Sequence, residues 1–173
     1  MFVPPGDDPR SEGGYTNERE LLVGYLRDYR LTLRMKCAGL DAEALARRAV
    51  PPSDLSLLGL VRHMAAVEQS WFRRVLAGED VPRHFRTAEG RDLDFTEAVA
   101  DPEVVEAAWS LWRAEVAFAE KFTAEAPGLD IRGRRLHPEL QLREILVHMI
   151  EEYARHCGHA DFLRECVDGR TGA

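Results

Sequence analysis

The residues with the most chemical potential are Glu152, His156 and His159 in the run Glu152-Tyr-Ala-Arg-His156-Cys-Gly-His159, together with His63 far upstream. A carboxylate and an imidazole four positions apart on a helix share one face, and a second helix can add a third ligand to the same ion. On an ideal helix His148, Glu152, His156 and His159 fall within an arc of about 80°, since each residue advances by about 100°. Height separates them: His148 and His156 stand ~12 Å apart along the axis, too far to share one ion. Glu152 with His156 is the better pair on charge grounds. One carboxylate and two neutral imidazoles leave a divalent cation partly uncompensated and open to a substrate. The expected metal ligands are therefore His63, Glu152 and His156. His148 and His159 are candidates for orienting a ligand or shuttling a proton, set against a role in ordinary packing. A lone histidine on an apolar face is commonly a core residue, and a Glu/His pair at this spacing is a common surface contact. It is their coincidence on interior-facing stripes that points to a metal.

The elements that must position these side chains are helical. After Asn17, the residues Leu21, Leu22, Tyr25, Leu26, Tyr29, Leu33 and Cys37 repeat at helical spacing. Asp41 to Ala49 can add a turn before Pro51-Pro52-Ser53-Asp54 halts the chain and offers polar caps. A second helix runs from Leu57 through His63 to Gly78, a C-terminal breaker. Residues 79–100 show no period and read as a long connection carrying functional or packing residues. A third helix starts near Pro102 and reaches toward Pro127-Gly128, and a fourth spans Glu139 to about Arg164. No strand-like alternation occurs, so the economical fold is an all-α four-helix bundle. Residues 1–16 form a leader, 17–167 the bundle and 168–173 a tail. Leu55 to Met64 echoes Leu140 to Met149, which places His63 and His148 at equivalent points. Shared helix-start chemistry and core packing explain the echo more readily than duplication.

Composition narrows the function. A chain of 173 residues with 45% hydrophobic and 31% charged residues suits one globular domain. Mean hydropathy is -0.32, and no run approaches the ~20 apolar residues of a membrane span. A net charge of -7 argues against nucleic acid, and a small-molecule partner is expected. Three cysteines with no Cys-x-x-Cys pair, and an N-terminus without a basic flank and apolar core, predict a reducing, cytoplasmic location. Cys157 projects about 100° from His156 and reads as a buried, inert thiol. Trp71, Trp109 and Trp112 read as core. Asp92-Leu-Asp94 lacks the rest of a calcium loop and reads as a solvated acidic turn, and His84 and His137 need no special role.

The segments Pro52-Ser53-Asp-Leu-Ser-Leu-Leu-Gly-Leu-Val-Arg-His63 and His148-Met-Ile-Glu-Glu152-Tyr-Ala-Arg-His156-Cys-Gly-His159-Ala-Asp161 resemble the DinB superfamily, and more narrowly an actinobacterial branch of it. The resemblance covers Asn17 to Gly172 and implies a DinB/YfiT-like bundle holding a divalent metal at His63, Glu152 and His156. Zinc is the first expectation, with nickel or iron also compatible with these ligands. Many members carry histidine at the position of Glu152, whereas the mycothiol-dependent maleylpyruvate isomerases carry glutamate. The resemblance therefore implies a low-molecular-weight thiol cofactor, such as mycothiol or bacillithiol, transferred to a small electrophile. Those isomerases have a further C-terminal domain with no counterpart here, so isomerisation itself is not expected. A homodimer is also implied. Two other readings compete: a hydrolase using metal-bound water, and a non-enzymatic, stress-related binding protein.

Overall fold

A computed structural model describes residues 7–10 and 13–172; residues 1–6, 11 and 12 of the leader, and Ala173 of the tail, lie outside the described residues. The helices are α1 (Glu18–Cys37), α2 (Ala42–Ala46), α3 (Leu57–Glu68), α4 (Pro102–Glu125) and α5 (Leu142–Asp168). Among the described residues there is no strand, and no helix is long and apolar enough to cross a membrane. The all-α DinB-like bundle expected from the sequence is the fold observed.

Cap chemistry sets the starts. Asn17, Asp41, Ser56 and Asp101 each accept a backbone N–H of the first turn they precede. Helix α5 begins three residues later than its apolar pattern predicts. Gln141 caps it, its backbone N–H donating to Glu144 at 2.8 Å, and the N–H groups of Leu142 and Arg143 go to the carbonyls of Ile131 and Leu129. Those donors are spent on the preceding loop, so Pro138 and Glu139 form a turn closed by the Leu140 N–H donating to the His137 carbonyl. The same helix runs on to Asp168, past the predicted end near Arg164, and stops at Gly169, whose φ of 76° is easy only for glycine.

The second predicted helix is two conformations in series. Its α-helical part ends at Glu68, and Gln69–Ala77 is a π-helix closed by Gly78. The termini predicted from sequence hold, but the wider turn after Glu68 does not follow from a 3.6-residue pattern.

Packing pairs α1 chiefly with α5 and α3 with α4. Leu26 and Leu33 of α1, Leu60 and Met64 of α3, and Ile145, Met149 and Tyr153 of α5 line the core. A polar network runs through it. Arg30 donates to both oxygens of Glu68 at 2.8 Å, Tyr153 Oη donates to Glu68 Oε1 at 2.8 Å, and Trp112 Nε1 donates to Tyr153 Oη at 2.9 Å. It joins all four long helices. A second buried arginine, Arg164, donates to the carbonyls of Lys36 and Ala38, covering the otherwise open C-terminal end of α1. The described part of the leader lies against α1, with Arg10 donating to Thr32 at 3.2 Å.

Candidate metal centre

His63 sits near the middle of α3, and Glu152 and His156 occupy successive turns of α5. One ligand atom from each lies within 4.8 Å of the other two. Glu152 Oε2 is 3.9 Å from His63 Nε2 and 3.5 Å from His156 Nε2. A tetrahedral ion bound at ~2.1 Å needs ligand atoms about 3.4 Å apart. The cluster therefore fits a divalent cation after a small contraction.

Each imidazole turns Nε2 toward Glu152 and engages a polar partner with Nδ1. Nδ1 of His63 lies 2.8 Å from Asp94 Oδ2, and Nδ1 of His156 lies 3.3 Å from Nδ1 of His159. A proton on Nδ1 of His63, donated to the carboxylate, leaves the lone pair of Nε2 facing the cluster. The same tautomer of His156 donates to His159. Burial, then the neighbouring His63, His159 and Arg155, push His156 down to about 4 against the opposing pull of Asp94, so its imidazole is neutral at neutral pH. Burial alone would raise Asp94, but the bond and charge of His63 hold its carboxyl below the usual carboxylate range.

Asp94 corrects the sequence reading, which took it for part of a solvated turn. Its side chain is only 14% exposed, whereas that of Asp92 is 68% exposed. Arg62, beside His63 on α3, holds it there by donating to the carbonyls of Asp94 at 2.8 Å and Leu93 at 2.9 Å. Phe95 then stacks on His63, with ring centroids 5.4 Å apart. The only sequence signal was an acidic residue in a long loop beside an aromatic one. His84 is a second correction: its Nε2 lies 3.0 Å from Glu115, which also accepts from Arg73, so it ties the loop to α4.

His148 flanks the cluster, with Nε2 3.7 Å from Glu152 Oε1 and its ring edge-on to Trp71 at 4.7 Å. Trp112 is core as expected, but Trp71 lines a cleft beside His63. His137 is exposed, with Nδ1 3.3 Å from Glu139 Oε1. Cys157 is buried, and burial with nearby Asp161 pushes its thiol up to about 12 against the pull of Lys36 and Arg10. Burial likewise raises Cys37 to about 12. Neither is a thiolate at neutral pH, so neither is a ready nucleophile.

An all-helical bundle in which two helices converge a His/Glu/His set defines a DinB-like protein. The chain belongs to the mycothiol-S-transferase family, whose model matches residues 21–169. No curated protein matches it.

Proposed function

We propose that the protein is a divalent-metal-dependent S-transferase that joins mycothiol to a small electrophile. The observation that carries this reading is the convergence of His63, Glu152 and His156 from two helices in a chain of this family. These three residues would hold the metal, zinc first among the candidates. A bound divalent ion would supply positive charge that favours thiolate over thiol at neutral pH.

The chain's own groups support that chemistry. Asp94 and His159 fix the two imidazoles with Nε2 directed inward. His148, 38% exposed and against Glu152, is placed to carry the thiol proton to solvent. The S–H bond breaks, that proton leaves through His148, and the sulfur lone pair forms the new S–C bond. The electrophile's leaving group departs with its electron pair. Both buried cysteines stay protonated, so neither competes with the small thiol as nucleophile.

The test has two parts: metal content of gently purified wild type, His63→Ala and Glu152→Ala by inductively coupled plasma mass spectrometry, and consumption of mycothiol with chlorodinitrobenzene. Near-stoichiometric metal lost in both variants, and conjugate formed only by metal-loaded wild type, are expected. Failure to take up metal on reconstitution, or turnover that needs no thiol, would overturn the reading. Bacillithiol assayed in parallel distinguishes the thiols.

A further inference from the structure

Beside His63 lies a cleft of about 170 Å³ that the transfer step leaves unused. His63 and Asp94 contribute to its lining, Val67 and Trp71 give it apolar surface, and Arg83 and Arg86 supply guanidinium groups. Asp94 is engaged by His63. Arg86 Nε donates to the Gly90 carbonyl at 2.9 Å, with the Asp92 carboxylate 3.6 Å away. Arg83 makes no ion pair among the described residues.

Further positive charge stands nearby. Arg74, on the π-helical stretch, has Nε and Nη1 buried with no hydrogen-bond partner among the described residues. Its guanidinium is held below its ordinary value by burial first, then by Arg83 and Arg135, with Asp80 opposing and Arg86 adding to the effect. Asp80 is itself paired with Arg135 at 2.5 Å. In a chain of net charge -7 the cleft is thus lined by two arginines that also feel Arg74, and the two carboxylates in its lining are already engaged, Asp94 by His63 and Asp92 beside Arg86, while Arg83 keeps its charge unpaired among the described residues. Such a concentration attracts an anion, and guanidinium forks match a carboxylate in shape and charge.

We propose that this cleft seats the carboxylate of the electrophile, so that the substrate class is a small organic acid with an apolar, preferably aromatic, body. Arg83 and Arg86 grip the acid, Val67 and Trp71 cover the body, and the His63 end of the cleft faces the reacting carbon toward the metal cluster. Typical ligand pockets measure about 300–1,000 Å³, so this smaller one suits the acid end of a substrate rather than the thiol. The assignment of the acid as substrate rests on the S-transferase reading; the anion site itself does not.

The experiment is calorimetric titration of metal-free protein with benzoate, its neutral counterpart benzamide, and inorganic phosphate. Benzoate is expected to bind about tenfold or more tighter than benzamide, the effect of about one charge-assisted pair. The double substitution Arg83→Gln/Arg86→Gln should erase that preference, while Arg47→Gln, an equal charge change per residue elsewhere, should not. Equal binding of benzoate and benzamide, retention of the preference in the double variant, or tighter binding of phosphate than benzoate overturns the proposal. A second arm compares chlorodinitrobenzoate with chlorodinitrobenzene as mycothiol acceptors for the zinc-loaded wild type. Preference for the acid supports the substrate assignment, and equal use of both overturns it. If neither is conjugated while benzoate still binds through the arginines, the anion site stands and the transferase reading falls.

Discussion

Nδ1 of His63 lies 2.8 Å from the Asp94 carboxylate, and this bond both fixes the ring and frees Nε2 toward Glu152. Partners of this kind raise ligand basicity and hold ring orientation. Asp94→Ala should therefore lower zinc affinity about 10–100-fold with the helical circular dichroism unchanged. Competition against a chromophoric chelator measures it, and an unchanged affinity would show that His63 is oriented by packing alone. Asp94→Asn should fall between, because it keeps an acceptor but loses the charge. At this scale the sequence was legible only in part. Glu152 and His156 disclose themselves by spacing on one helix, and His63 by its apolar surroundings. Asp94 does not, because its partner is 31 residues away and its position depends on two backbone carbonyls held by Arg62.

Helix α3 positions its histidine through a glycine one turn earlier. A Cβ on Gly59 would stand 2.6 Å from Phe95 Cδ1 and 3.1 Å from Ser56 Oγ, and Phe95 is the ring stacked on His63. Alanine is a better helix former than glycine by about 1 kcal/mol. Gly59→Ala should thus leave urea-unfolding stability within ~1 kcal/mol of wild type, because propensity offsets the crowding, yet weaken metal binding several-fold by displacing Phe95. Unaltered metal affinity would mean that the stack is incidental. The elements themselves were mostly readable, since caps and apolar periods fall where the helices begin and end. Two features escaped for physical reasons. The π-helical turn from Gln69 breaks the 3.6-residue period without ending the helix. The start of α5 is set by backbone bonds to residues 129–131 rather than by its own side chains.

The whole bundle is held partly by charge inside its core. Glu68 is fully buried and Arg30 is 5% exposed, so removing one partner strands the other. Burial opposes the charge on Arg30 and raises the Tyr153 hydroxyl, while Glu68 keeps Arg30 protonated and further raises Tyr153, which remains a donor. Glu68→Ala should cost about 3–5 kcal/mol in urea unfolding. Tyr153→Phe, which removes one donor and one acceptor, should cost about 1–3 kcal/mol. Costs near zero for both would show that water replaces the network. Metal should act at the same scale, since its proposed ligands come from α3 and α5. Zinc at 100-fold above its dissociation constant adds about 2.7 kcal/mol. For a domain of this size that raises Tm by roughly 5–10 °C in a thermal scan, and His63→Ala should abolish the rise.

What the sequence by itself determined is the all-helical class and the extents of most helices, and it nominated His63, Glu152 and His156 as candidate ligands, because these follow from periodicity, caps and spacing within single helices. Tertiary structure alone decided that Asp94 serves His63, that Glu68 sits paired in the core, and that Arg83 and Arg86 share a cleft with the candidate centre. Those relations join residues far apart in the chain, and no local pattern encodes where a loop lies once the helices have packed.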